Sequence, residues 1–412
     1  MPFEAFFHVK TPDQVYSLLE RFGPVGIEEL DLGDCLQRIL AEDVFSPTDL
    51  PPFDRSTVDG YALKAEDTFG ASESNPALLR VIGEVLMGNA TDLVVSHGEA
   101  VQVPTGGMIP RGADAVLMIE HAESIADGVL QAKKAISPRE NIIEQGEDIK
   151  KGERILSKGQ RIRPQDMAAT AALGRSRIRV YRRPRVAIVS SGDEIVDITE
   201  EPGPGKIRDI NRYSLSGQIE RAGGVPLFVG VARDSFEDLM SLCEKGLQGS
   251  DMLVISGGSS VGTLDFTTRV IGSFPDSETM VHGVSIRPGK PTVIGRTGSR
   301  PVAGLPGHPV SAMIVFDLFM RPLIWRLSGY VGDPWPLGKR VPAVLTRNVA
   351  SSPGREEYIR VRTEETGGRV LAHPILGKSG SISTMVNANG VIRIDMDSEG
   401  LEDGSPVEVL LF

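Results

Sequence analysis

The amino-acid sequence predicts a multidomain α/β protein. The chain is expected to carry a parallel-sheet βαβ domain, an inserted β-rich domain and a small C-terminal β-barrel or sandwich. Three observations predict it. The chain has 412 residues, more than one core of about 150 residues accommodates, so two to four domains are expected. From 185 to 327, apolar strand-like runs alternate with helical ones, the pattern of a doubly wound parallel sheet. After "GDPWPLGKR" the residues alternate with period two and no long helix appears, as in "YIRVRT" and "GVIRIDM".

Taken in order, "TPDQVYSLLERFG" predicts a helix capped by Thr11, begun by Pro12 and stopped by Gly23. A second apolar-periodic segment covers Leu36 to Leu40. "SPTDLPPFDRSTVDGYAL" then breaks the pattern with prolines and an Asp-Gly turn, and short β-like runs follow as far as about Ile143. Helical material returns at "RPQDMAATAALG". The segments flanking the β-rich stretch are therefore expected to pack together as one domain, 1–50 plus 142–180, interrupted by the insertion 51–141. The βαβ domain takes 181–329, with helices expected over Tyr213–Ala222, Ser235–Leu247 and from Val310, and the barrel takes 330–412. The basic run "RSRIRVYRRPR" alternates like an edge strand with a charged outer face, and an anion-binding surface is its alternative.

Composition excludes several functions. A hydrophobic fraction of 40% and a charged fraction of 24%, with no unbroken apolar stretch of about 18 residues, argue against a membrane protein. A formal charge of −11 gives no general attraction to nucleic acid or anionic lipid. Cys35 and Cys243 lie far apart, and the six histidines form no ligand cluster, so any metal is expected to be oxygen-bound. "MPFEAFFHVK" lacks the marks of a signal peptide, and a cytoplasmic location is expected.

In open α/β sheets, ligands gather beyond the carboxyl ends of the strands. Three loops fall there. "SSGDEIV" places Glu194 beside Asp193. "ISGGSSVGTLDF" has Gly257, Gly258, Ser259 and Gly262 leading to Asp265, while "GLPGHPVSA" offers Gly307 and His308 before a helix. Glycines after a buried strand let backbone N–H groups converge on phosphate, and a carboxylate beside them makes sense when a divalent cation bridges the two. Glu194 and Asp265 are accordingly the candidate Mg²⁺ ligands. Near them "SIRPGKPTVIG" sets Arg287 and Lys290 around a Pro-Gly turn, a pair of cations that can hold an oxyanion. Asp59, Thr105 and Asp148 occupy turns that a purely structural role also explains. Spacing alone gives a phosphate and Mg²⁺ site and no reaction.

The ordered set "PPFDRSTVDGYAL", "PTGGMIPRGADAV", "GEDIKKGE", "SSGDEIV", "ISGGSSVGTLDFT", "RPGKPTVIG" and "GLPGHPVSA" closely resembles the molybdopterin molybdenumtransferase (molybdenum insertase) family, shared with the E domain of gephyrin. The resemblance runs from the first helix to the C-terminus. It implies an elongated four-part subunit ending in a C-terminal β-barrel, and a homodimer whose active cleft joins the βαβ domain of one subunit to the inserted domain of the other. The implied activity is a step of molybdenum cofactor biosynthesis, in which molybdate is inserted into adenylated molybdopterin with Mg²⁺-assisted release of AMP. By motif, Glu194 and Asp265 are the acidic residues, Arg287 and Lys290 hold phosphate or molybdate, and Asp59, Thr105 and Asp148 come from across the dimer. Arg355 of "GREEYIR" and Ser379 of "KSGS" match further family positions. His308 stands where asparagine is common and Arg287 where lysine is frequent. A molybdopterin adenylyltransferase and a non-catalytic gephyrin-like scaffold are the alternatives. An adenylyltransferase and molybdoenzyme maturation factors are the implied protein partners.

Overall fold

The computed structural model describes residues 9–126, 128–257, 261–332 and 340–412, with the backbone alone at 126 and 261–265. The chain forms two compact units. One gathers 1–42, 158–163 and 177–412, and the other 43–157 and 164–176.

The larger unit is built on a six-stranded sheet in the order Val225–Ala232, Arg185–Ser191, Met252–Gly257, Arg300–Leu305, Val293–Thr297, Ser277–His282. The first four strands are parallel. Val293–Thr297 runs antiparallel to both of its neighbours, so the predicted parallel sheet ends in a hairpin and one further edge strand. "RVAIVSS" is apolar almost throughout because both its faces are covered. Its alternate residues separate two cores. Val186 and Ile188 pack with Leu215 and Ile219 of helix Asn211–Arg221, whereas Ala187 and Val189 pack with Leu239, Cys243 and Leu247 of helix Phe236–Gln248. Ser235 caps the latter by accepting from the Asp238 N–H.

Helix Pro12–Leu19 carries the expected Thr11 cap, closed into a capping box by Gln14, and buries Val15 and Leu19 in the same core as Val186. The segment Leu36–Leu40 is not helical. Gln37 adopts φ 62°, and Ile39 and Leu40 make isolated bridges to Arg161 and Val180. The basic run forms strand Arg177–Tyr181, paired antiparallel with Ile27–Asp31. Its outward arginines meet acids: Arg177 reaches Glu29 and Asp31, and Arg179 reaches Glu42.

The C-terminal strands Arg340–Leu345, Glu356–Thr366, Arg369–Pro374, Gly390–Ile394 and Pro406–Leu411 close on themselves as a five-stranded barrel, since Glu356–Thr366 pairs with Gly390–Ile394 as well as with Arg369–Pro374. One pairing positions the site. The short strand Ile286–Arg287, which leads into the "RPGK" turn, lies parallel to Glu356–Glu357 and brings the two cations of that turn to the barrel.

The smaller unit holds a second six-stranded sheet, drawn from Gly60 to Ala132, over a core that includes Leu63, Leu79, Leu117 and Leu130. Helix Pro164–Ala172 belongs to this unit. Among the described residues no helix is long and apolar enough to cross a membrane.

Candidate functional site

Two cavities meet at His308 in the larger unit. The first, of about 370 Å³, lies beyond the carboxyl ends of strands Arg185–Ser191 and Met252–Gly257. Glu194, Gly257, Gly307 and His308 line it, as the loop argument predicts. Gly192 turns the chain here at φ +152°, and a methyl group at that position would fall 2.5 Å from the Glu194 carboxylate. Glycine thus leaves the room that the exposed Glu194 side chain occupies. Its neighbour Asp193 is committed elsewhere, accepting from the Asp234 N–H at 3.2 Å.

Sequence reasoning missed the rest of this lining. Ser190 donates to Asp209 at 2.6 Å, and Asp209 also accepts from the Arg212 N–H at 3.0 Å. Asn211 donates through one amide group to Ser256 Oγ and to the Gly307 carbonyl, both at 2.8 Å, tying two of the predicted loops together. The buried Ser191 Oγ and Asn211 Oδ1 have no partner. The signal was available in "RDINR", where Asp-x-Asn opens helix Asn211–Arg221. Gly258 and Ser259 lie outside the described residues. Gly262 and Asp265 fall on helix Val261–Ser273, with side chains outside the described set; Asp265 sits in its second turn and not at its start.

The second cavity, a cleft of about 960 Å³ between the "RPGK" turn and the barrel, collects Arg287, Lys290, His308, Arg355 and Ser379. Arg287 precedes a cis proline and lies 3.3 Å from Glu357, a buried carboxylate that also accepts from Ser351 at 2.9 Å. Ser379 Oγ is 3.1 Å from His308 Nδ1, and its carbonyl accepts from Val310 N–H in the helix that His308 precedes. Arg360 and Lys378, absent from the sequence argument, add two cations. Arg360 is buried, donates to the Gly377 carbonyl at 2.9 Å, and has its pKa lowered by that burial. "EEYIRV" gave no warning, because the strand is covered on both faces at this point. The Nε atoms of Arg355 and Arg360 are buried without partners. Six basic side chains against the single carboxylate Glu357 give this cleft a lining suited to an oxyanion, whereas the adjoining cavity presents Glu194, Asp209 and Asp234.

Asp59, Thr105 and Asp148 belong to the smaller unit. Asp59 Oδ1 accepts from the Thr105 N–H at 2.7 Å and from its hydroxyl at 3.0 Å, and these bonds hold the carboxyl below its ordinary value. The exposed Asp148 donates its N–H to the Leu50 carbonyl.

Fold and site together define a multidomain α/β protein with a cation-lined cleft shared by its sheet domain and its barrel. Three family models cover nearly the whole chain: MoeA N-terminal region (domain I and II) over 10–174, Probable molybdopterin binding domain over 187–326, and MoeA C-terminal region (domain IV) over 342–412. The molybdopterin molybdenumtransferase of Bacillus subtilis is 32% identical over 390 residues, 93% of this chain and 89% of the relative. That of Nostoc is 30% identical over 388 residues, 93% of this chain and 88% of the relative. The crystal structure of the molybdopterin biosynthesis MoeA protein from Pyrococcus horikosii superposes with a TM-score of 0.84 at 40% identity, covering 98% of this chain and 99% of that one. The chain belongs to the MoeA family, the transferases of molybdenum cofactor biosynthesis.

Proposed function

We propose that the protein inserts molybdate into adenylated molybdopterin and releases AMP. The observation that carries this reading is the meeting, at His308, of an acid-lined cavity and a cation-lined cleft. Cleaving a phosphate anhydride calls for neutralising charge more than for a nucleophilic side chain. Arg287, Lys290, Arg355, Arg360 and Lys378 supply positive charge where phosphate and molybdate oxygens gather. The unpartnered Nε atoms of Arg355 and Arg360 suit an anionic occupant.

The acid-lined side suits Mg²⁺, a hard cation that binds through one or two carboxylates and otherwise keeps water and substrate phosphate oxygens. Glu194 and Asp234 would hold it, together with Asp265 from helix Val261–Ser273. When bound, the ion neutralises charge on the anhydride oxygens. The dithiolene sulfurs of the substrate take the molybdenum, so no protein thiol is required; Cys35 and Cys243 are both buried. Asp59, Thr105 and Asp148 complete the site from a second copy of the chain in a homodimer. AMP release by purified protein with Mg²⁺, measured with and without molybdate, tests the reading. Molybdate-dependent release that collapses in Glu194→Gln is expected, and absence of release in the unmodified protein would overturn it.

A further inference from the structure

The arginine run that plays no part in the proposed reaction contributes to a second basic pocket. In the larger unit, a cavity of about 230 Å³ opens where "YRRPR" leaves its strand, against the ends of helices Asn211–Arg221 and Arg321–Leu327. Five arginines and one carboxylate, Glu220, line it. Three of the arginines are committed. Arg38 pairs with Glu28 and donates to the Tyr181 carbonyl, Arg182 grips Asp251 through bonds of 2.7 and 2.9 Å, and Arg221 lies 3.4 Å from Asp317. Arg161 and Arg183 have no carboxylate within ion-pair distance among the described residues.

Arg161 lies over two aromatic rings. Its guanidinium carbon is 5.5 Å from the Trp325 ring centroid and 5.2 Å from that of Tyr330. Attraction to the rings holds a guanidinium without using its N–H donors, which stay free to fork onto an anion. Trp325 adds a donor without a partner, since its Nε1 is buried and unbonded. The backbone at Gln37, also on the lining, is held at φ 62°, a conformation that side chains other than glycine seldom adopt.

The geometry points to a second oxyanion site: the pocket takes one tetrahedral oxyanion, free or as the phosphate of a small ester, between Arg161 and Arg183. Two uncommitted cations match one dianion. At about 230 Å³ the cavity lies below the ~300–1,000 Å³ usual for whole drug-sized ligands, which favours a single anionic group over a nucleotide. Guanidinium forks suit the several oxygens of a tetrahedral dianion. This site shares no lining residue with the His308 cleft and stands whether or not the proposed reaction does.

Tryptophan fluorescence tests it. The chain has two tryptophans, and Trp335→Phe leaves Trp325 alone. In that background, inorganic phosphate and glycerol phosphate are titrated at constant ionic strength against chloride. A saturable change is expected, weakened about tenfold by Arg183→Gln through loss of one charge-assisted contact, strengthened by Glu220→Gln, and unchanged by Arg355→Met in the other cleft. Tighter binding of the ester than of phosphate supports an esterified ligand; the reverse supports the free ion. No saturable response to either anion, or a response that Arg183→Gln leaves intact, overturns the site. Arg183 is exposed, so its variant keeps the test clear of misfolding.

Discussion

Replacing Arg355 by methionine separates binding from stability. The guanidinium lines the oxyanion cleft, yet its Nε is buried with no partner. A buried donor left unpaired costs about 1–3 kcal/mol, so the fold does not depend on this group and stands to gain from its removal. In the proposed reaction the substrate would lose one charge-assisted contact, about 1.5–3 kcal/mol when desolvated. At about 1.36 kcal/mol per factor of ten, the KM for molybdate is expected to rise by about 10–150-fold. The unfolding midpoint should hold or rise, by about 2–4 °C for each kcal/mol recovered. Molybdate titration of AMP release gives the first quantity and calorimetry the second. A KM within about twofold of the parent, together with a lowered midpoint, would show that Arg355 braces the barrel and refute the reasoning.

Three other expectations follow from the geometry. Gly192→Ala should strain the turn by about 1–3 kcal/mol and drive Glu194 from its place, lowering kcat/KM while the protein still folds; full activity in this variant would show that the glycine makes no room for Glu194. Asp59 is held below its ordinary value of 3.8 by the Thr105 N–H and hydroxyl, so its contribution is present above that value and is lost as pH falls through the lower folded one. The difference in unfolding midpoint between the parent and Asp59→Asn should therefore shrink as pH falls below about 4, and a gap that stays constant into that range would count against the Thr105 bonds as its source. Burial pushes the Cys243 thiol up to about 12, so disulfide reagents should label it only after denaturation; rapid labelling of the native protein would show the thiol to be accessible.

Elements whose periodicity reflects burial were legible in the sequence. "RVAIVSS" reads as a strand covered on both faces, and "TPDQVYSLLERFG" carries its own cap and proline start, although the helix ends at Leu19 with Glu20 as its C-cap, short of the expected stop at Gly23. The loops at the sheet edge were legible for the same reason, because glycine and proline mark where a strand ends. The segment Leu36–Leu40 shows apolar spacing without its cause: the spacing comes from burying Ile39 and Leu40 beside partners more than a hundred residues away. Arg360 stayed hidden because an arginine in a strand normally marks a solvated face, and only the closed barrel shows it turned to the cleft. Asn211 stayed hidden because its role is to join Ser256 to Gly307, neighbours fixed by the sheet order and not by spacing along the chain.

The discontinuous larger unit has a consequence for how the protein is made. Strand Ile27–Asp31 finds its partner only when Arg177–Tyr181 has been synthesised, and the Lys10 and Val25 amides await the carbonyls of Gly283 and Leu327. At a translation rate of about 5–20 residues per second, the first strand waits roughly 10–30 s after leaving the ribosome. The smaller unit draws only on residues up to 176, so all of its chain has emerged before that wait ends. Meanwhile Val15, Leu19 and Phe22 have no core to enter, since most of the residues they pack against have yet to be synthesised. The apolar side chains of this N-terminal segment are thus left without their native core until the last third of the message has been read.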